Sequence, residues 1–337
     1  MQYKFVAAAL LASIPFAAVA QSSVTIYGIA DAAVAAENDG SNKVVKLNNG
    51  GRSSSRLGFR GTEDLGGGLN ALFNLESGID LTTGQSSSTS TFFNRRAIVG
   101  LGGGFGTVTL GREYSPIDSV VASPSDIMEL SFAGGSLSAF GSARNRLTRR
   151  LDNSINYKTP SFNGLVGRLA YALGEQATGP SKDLLGLGVN YSNGKLFLGA
   201  AYQTSKRVAA GDDKEYAVGA GYNFGAFDVK ANYLVSDPDG ANIKFEQFNL
   251  GASVGLGSGR LYANLQQNKI ESGAKGKGFA VAYAYPLSKR TSLYTSYATL
   301  RNNAIGQFGM ESSGTKLAAA ALGTDPSVFA VGVRHLF

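Results

Sequence analysis

The chain has no cysteine and a single histidine, His335, which excludes thiolate chemistry and His-clustered metal sites. A Ser/His/Asp hydrolase would depend on that one imidazole, and no serine motif accompanies it. His335 shares the face of Val331, Val333 and Phe337 in an alternating run and reads as an interfacial ring near a strand end. The glycine-rich run 100–106 superficially suggests a dinucleotide loop, but Thr107, Val108, Thr109 and Leu110 after it read as a strand, so the helix N-terminus that would hold a phosphate is missing. Residues 174–181 have phosphate-loop spacing with Pro180 in the place of the lysine, a chance match. What remains is fixed charge. Arg56, Gly58 and Arg60 alternate with Leu57 and Phe59, and Arg150, Asp152, Ser154, Asn156 and Lys158 alternate with Leu151, Ile155 and Tyr157. In an extended chain such a pattern gathers the charges on one face.

The elements that must carry these charges are strands. Tyr216, Val218, Ala220, Tyr222 and Phe224 are set against Glu215, Gly219, Gly221 and Asn223, and the same period of two recurs throughout. About sixteen such segments lie near 24–36, 52–61, 68–80, 91–101, 106–113, 150–159, 164–174, 184–192, 195–205, 214–224, 226–236, 243–256, 259–269, 277–286, 289–300 and 327–337. Short turns, such as Asn193-Gly194 and Gly257-Ser258-Gly259, alternate with long polar connections at 37–51, 81–90, 114–149, 175–183, 206–213, 237–242, 270–276 and 301–326. Short turns on one rim and long loops on the other describe an all-β, antiparallel, up-and-down transmembrane barrel. Closure satisfies every backbone amide in lipid.

Composition agrees. Forty-five Gly, 19 Phe and 15 Tyr with only 16% charged residues exclude disorder and favour many extended, tightly turned segments. Lys4, the apolar run from Phe5 to Ala12, Pro15 and the small-residue site Ala18-Val19-Ala20 predict a secretory signal peptide over 1–20, with the barrel over 21–337. No later run is apolar enough for a membrane helix. A soluble sandwich would show the same alternation. Aromatic residues at strand ends (Phe224, Phe227, Tyr283, Tyr285, Phe337) and a polar face rich in Gly favour the membrane. The net charge of +7 is dispersed, without a basic helix, and predicts no nucleic-acid partner.

Several stretches resemble the trimeric general porins of Gram-negative outer membranes, in their betaproteobacterial branch. They are the opening Ser23-Val24-Thr25-Ile26-Tyr27-Gly28-Ile29-Ala30-Asp31, the run from Ser55 to Leu69, Asn94-Arg95-Arg96, Gly106-Thr107-Val108-Thr109-Leu110-Gly111-Arg112, and the ending Val331-Gly332-Val333-Arg334-His335-Leu336-Phe337. The resemblance implies a sixteen-stranded barrel, a homotrimer among outer-membrane lipids, and a third loop folded into the lumen. It also implies that terminal Phe337 is read by the outer-membrane assembly machinery.

The loop 114–149 is the longest internal connection, and a connection this long is usually functional. By resemblance its acids face basic residues on the wall; Asp126 fits that pattern best, with Asp118 and Glu129 beside it. Arg56, Arg150 and one of Arg95 and Arg96 match the family's arginine cluster. Strict alternation through Ala97, Val99 and Leu101 aims Arg96 inward, whereas the resemblance prefers Arg95; a bulge would reconcile them, and both stay candidates. Arg60, Lys158 and Arg168 are expected as further lumen charges. The implied function is an outer-membrane diffusion channel for small hydrophilic solutes, with a weak to moderate anion preference and no enzymatic activity, cofactor or metal. A substrate-specific channel or a surface adhesin is the alternative. Loop carboxylates such as Asp39, Asp212, Asp213, Asp237 and Asp239 leave calcium open.

Overall fold

The computed structural model describes residues 23–141, 145–176, 182–207, 211–314 and 316–337; the expected signal peptide lies outside them. Sixteen antiparallel staves close into one barrel. They are β1 (Ser23–Asn38), β2 in two pieces, β2a (Lys43–Asn48) and β2b (Arg56–Gly66), β3 (Leu69–Gly78), β4 (Arg96–Gly103), β5 (Gly106–Tyr114), β6 (Arg150–Lys158) and β7 (Leu165–Ala172). The second half comprises β8 (Leu184–Ser192), β9 (Leu196–Lys206), β10 (Asp212–Asn223), β11 (Phe227–Asp237), β12 (Phe245–Leu256), β13 (Gly259–Ile270), β14 (Lys275–Pro286), β15 (Thr291–Asn302) and β16 (Ser327–Leu336). Closure is by β1 on β16, in register from Ile29 opposite Leu336 to Asn38 opposite Ser327. Terminal Phe337 extends the seam: its N–H donates to Gly28 O at 3.1 Å, and Gly28 N–H donates back at 3.0 Å. No helix of the described residues is long and apolar enough to cross a membrane.

The apolar face points outward. Val24, Ile26, Val218, Leu250, Leu265, Phe279 and Val331 are exposed on the outer wall, while Asp31, Asn74, Glu76, Asn232, Asn249 and Gln266 are buried on the inner one. An apolar groove of about 500 Å³, lined by Val189, Leu198, Val218 and Phe248, lies on this lipid-facing belt. The buried apolar residues are those of the loop after β5 and the small or aromatic inner residues it covers, from Ile117, Val120 and Phe132 to Ala201, Ala217, Ala280 and Tyr294. The core of this barrel therefore lies inside its lumen.

Two connections differ from the sequence reading. Residues 37–51 do not form a long loop: β1 runs on to Asn38, and β2a returns beside it from Lys43. The interruption instead falls at 49–55, where Asp31 accepts hydrogen bonds from the N–H groups of Gly51 (3.1 Å) and Ser53 (2.7 Å) and draws the chain inward. The connection after β13 is likewise a tight turn over 271–274, with Gly273 at φ 97°, a left-handed conformation that suits glycine.

Candidate functional site

After Tyr114 the chain leaves the wall and crosses the lumen until Arg150. Helical turns at Ile117–Ala122, Ser123–Ser125 and Ser136–Ala139 give the segment an apolar underside. It rests on β8–β12, where the inner face is bare: a Cβ on Gly188 would meet Val120 at 2.8 Å, and one on Gly251 would collide with Ile127. Polar wall residues clamp the rest. Asn232 Nδ2 donates to Ser136 Oγ at 2.9 Å, Asn264 Nδ2 to Gly134 O at 2.7 Å, and Gln266 Nε2 to Gly135 O at 2.7 Å. At the far end Glu215 accepts from the N–H and hydroxyl of Thr148, both at 2.8 Å. Buried polar contacts of this kind are costly to leave unmade, so the loop is held against one side of the barrel and the passage runs along the other.

The opposite wall carries the arginines. Arg95 Nε donates to Glu76 at 2.6 Å, and Arg56 lies 3.9 Å from the same carboxylate. Arg149 Nε pairs with Asp118 at 2.8 Å. Arg95 and Arg150 both donate to the Tyr114 phenol oxygen, at 3.1 and 3.2 Å, and the Arg150 guanidinium sits 4.8 Å from the centre of that ring. Four arginines thus surround one tyrosine with two carboxylates among them. Burial opposes charge on Arg149, but Asp118 and the Tyr114 phenol more than offset it and raise its pKa above the ordinary value.

Arg96 also enters the lumen, where Glu113 accepts from its Nε at 3.0 Å. Both members of the pair turn inward because Arg95 precedes the strand and is free of its alternation, while Arg96 begins β4 opposite Glu76. Arg60 stacks 5.1 Å from the Tyr27 ring, deeper along the same wall. Glu129 sits at the loop tip, 3.4 Å from Arg52 and accepting from Tyr262 at 3.0 Å. It and Leu130 take positive φ values of 62° and 50°, sparsely populated for such residues.

Asp126 is placed differently from the expectation. Its carboxylate faces back into the loop and accepts from the N–H groups of Met128 (2.9 Å), Leu130 (3.1 Å) and Ser136 (2.9 Å). Burial pushes its pKa above the usual carboxylate range against the pull of those donors. The free backbone N–H groups of a tight turn claim the nearest acceptor, and here that is Asp126. The loop therefore shows Asp118 and Glu129 to the passage, and Asp126 braces it.

Three cavities in series trace the passage. The first, about 470 Å³, opens on the long-loop rim with Arg112, Glu311 and Lys316. It shares Arg95 and Arg149 with a second of about 390 Å³, which holds Arg56, Asp118 and Glu129. The second shares Arg96, Glu113 and Arg168 with a third of about 340 Å³, which reaches Lys158 near the short-turn rim. Sequence reasoning missed Tyr114 and Arg149. A register shift between Gly111 and Glu113 resets the alternation before Tyr114, and Arg149 lies in the loop, where parity gives no direction. The signal that could have found them is their adjacency to Arg150 and to the turn at Pro116. Loop acids do not form a cation cage: Asp213 and Asp239 lie against Arg207 at 3.8 and 3.4 Å, and no group of three potential ligands occurs among the described residues.

Comparisons with known proteins agree with this architecture. A family model described as Gram-negative porin matches residues 7–305. Outer membrane porin protein 32 of Delftia acidovorans is 37% identical over the whole of both chains, and an outer membrane porin protein of Bordetella pertussis is 30% identical over 88% of this chain and 94% of its own. Among solved structures, the anion-selective porin from Comamonas acidovorans superposes with a TM-score of 0.82 at 32% identity, covering 94% of this chain and 100% of that one. The trimer form of OmpT from Vibrio cholerae, at 14% identity and a TM-score of 0.67, shares the fold. With a closed barrel, a lumen-crossing third loop and a full-length match at this identity, the chain belongs to the Gram-negative porins and is a multi-pass outer-membrane channel.

Proposed function

We propose that this channel passes small hydrophilic solutes with a preference for anions, filtered where the third loop faces the arginine wall. The observation that carries the reading is the charge imbalance around Tyr114: Arg56, Arg95, Arg149 and Arg150 against Glu76 and Asp118. The Arg96–Glu113 and Arg52–Glu129 pairs add no net charge. Fixed charge of one sign along a narrow, low-dielectric wall concentrates the opposite ion. The anion-selective porin similar to this chain supports the same sign. A specific sugar channel is less well supported, because the inner aromatic residues Tyr262, Tyr294 and Phe132 pack on one another at 5.7–5.8 Å and are spent on anchoring the loop.

The test is ion substitution in single-channel recording. Replacing chloride with a bulky organic anion should lower conductance far more than replacing potassium with a bulky cation; the reverse order would refute anion preference. The same reading includes export through a signal peptide over 1–20, insertion by the assembly machinery through Phe337, and association as a homotrimer. Unboiled electrophoresis should give a band that collapses to the monomer on heating, and a monomer in mild detergent would count against the trimer.

A further inference from the structure

Beyond the arginine cluster, the third cavity holds two cations that make no ion pair among the described residues. Lys158 on β6 and Arg168 on β7 are direct cross-strand partners and share the cavity of about 340 Å³. Directly opposed side chains stand about 4.5–5.5 Å apart at Cβ, and like charges there are destabilising. A structural role for such a pair would be met by an interposed carboxylate. None is in ion-pair contact with either residue among the described residues. The carboxylate in the same cavity, Glu113, is engaged by Arg96 and by the N–H of Tyr114 at 2.8 Å. Arg168 Nε is buried without a hydrogen-bond partner among the described residues. Around the pair stand hydrogen-bonding groups, Thr107, Thr109 and Asn156.

We propose that Lys158 and Arg168 form a binding station for a small oxyanion carrying at least two negative charges, on the short-turn side of the filter. A guanidinium fork can hold two oxygens of such an anion while the ammonium supplies a point charge. A dianion would relieve the repulsion between the two cations, which a single chloride does only in part. This deepens the anion reading above: the filter around Tyr114 sets the sign of the permeant ion, and this station makes polyvalent oxyanions linger.

The test uses the full-length channel in a planar bilayer at 0.1 M KCl and pH 8, with inorganic phosphate as the probe. Phosphate should reduce the chloride current along a saturating curve. Replacing both cations, K158Q with R168Q, should raise the half-saturating concentration at least ~5-fold, the loss expected for one unit charge at about 4 Å in water-like surroundings. R168K, which keeps the charge and loses the fork, should fall between the two. If the double variant does not insert, K158Q alone is expected to shift the curve ~2- to 5-fold. A current that changes linearly with phosphate, or a half-saturation unchanged in the double variant (in K158Q where the double variant does not insert), overturns the station. Failure of the anion reading itself shows separately, as a reversal potential of the wrong sign in KCl without phosphate.

Discussion

Replacing Arg150 with Ser removes a charge that no carboxylate balances: among the described residues its guanidinium contacts only the Tyr114 phenol and ring. A chloride passing about 4 Å from it in water-like surroundings gains roughly 1 kcal/mol. At 0.1 M salt, with a screening length of about 10 Å, about two-thirds of that survives. This is a ~3-fold enrichment of the anion and a matching depletion of the cation. Arg150→Ser should therefore lower the anion-to-cation permeability ratio by up to ~10-fold at 0.1 M. At 1 M the screening length is about 3 Å, and the loss should shrink to ~2-fold. The assay is the reversal potential of reconstituted channels in a fixed KCl gradient, repeated at both salt levels. Arg56→Ser should act in the same direction, and Lys230→Ser, away from the cluster on β11, should do little. A ratio unchanged at 0.1 M, or a loss as large at 1 M, would refute the assignment of the filter.

Removing the loop carboxylate in Asp118→Asn should raise anion preference by a similar factor, read in the same recordings. Glu311, on the last long loop, has its pKa raised above 4.5 by burial, against the pull of Lys316, Arg146 and Arg149. A raised pKa means the charge is lost earlier on acidification than from an ordinary carboxylate, so the anion preference should climb as the pH is lowered, and Glu311→Gln should flatten that climb. Asp126→Ala strands three buried N–H donors, each costing about 1–3 kcal/mol; its loop should loosen, giving noisier current and a lower melting temperature of the folded band. Deleting Phe337 removes both seam hydrogen bonds and the ring packed on Gly28, and cell fractionation should find the protein aggregated or periplasmic.

Legibility in the sequence followed the reach of the strand period. Arg56 and Lys158 sit within unbroken alternation, and their lumen placement could be read directly. So could the outward turn of Phe279 and Val331, because lipid on one side and water on the other enforce the pattern along each strand. Where the chain leaves the wall the period carries nothing: Tyr114 follows a register shift, and Arg149 lies in the loop. Asp126 was misjudged for a related reason. Its neighbours Ser125 and Ile127 do not reveal that the next ten residues fold back and present their N–H groups to it. The alternation shows only that the polar face is rich in glycine; what fills the space above inner glycines such as Gly188 and Gly251 depends on contacts distant in sequence. The inward turn at 49–55 needs Asp31 and Tyr294, whose hydroxyl donates to Asp31 from the opposite end of the chain.

The central claim is that the charge imbalance around Tyr114 sets the sign of selectivity. The zero-current potential of the wild-type channel across a tenfold KCl gradient, with the dilute side at 0.01 M, tests it most directly. The potential should have the sign set by chloride flux and decay toward zero as both sides are raised to molar salt. A potential of the sign set by potassium at low salt would contradict it.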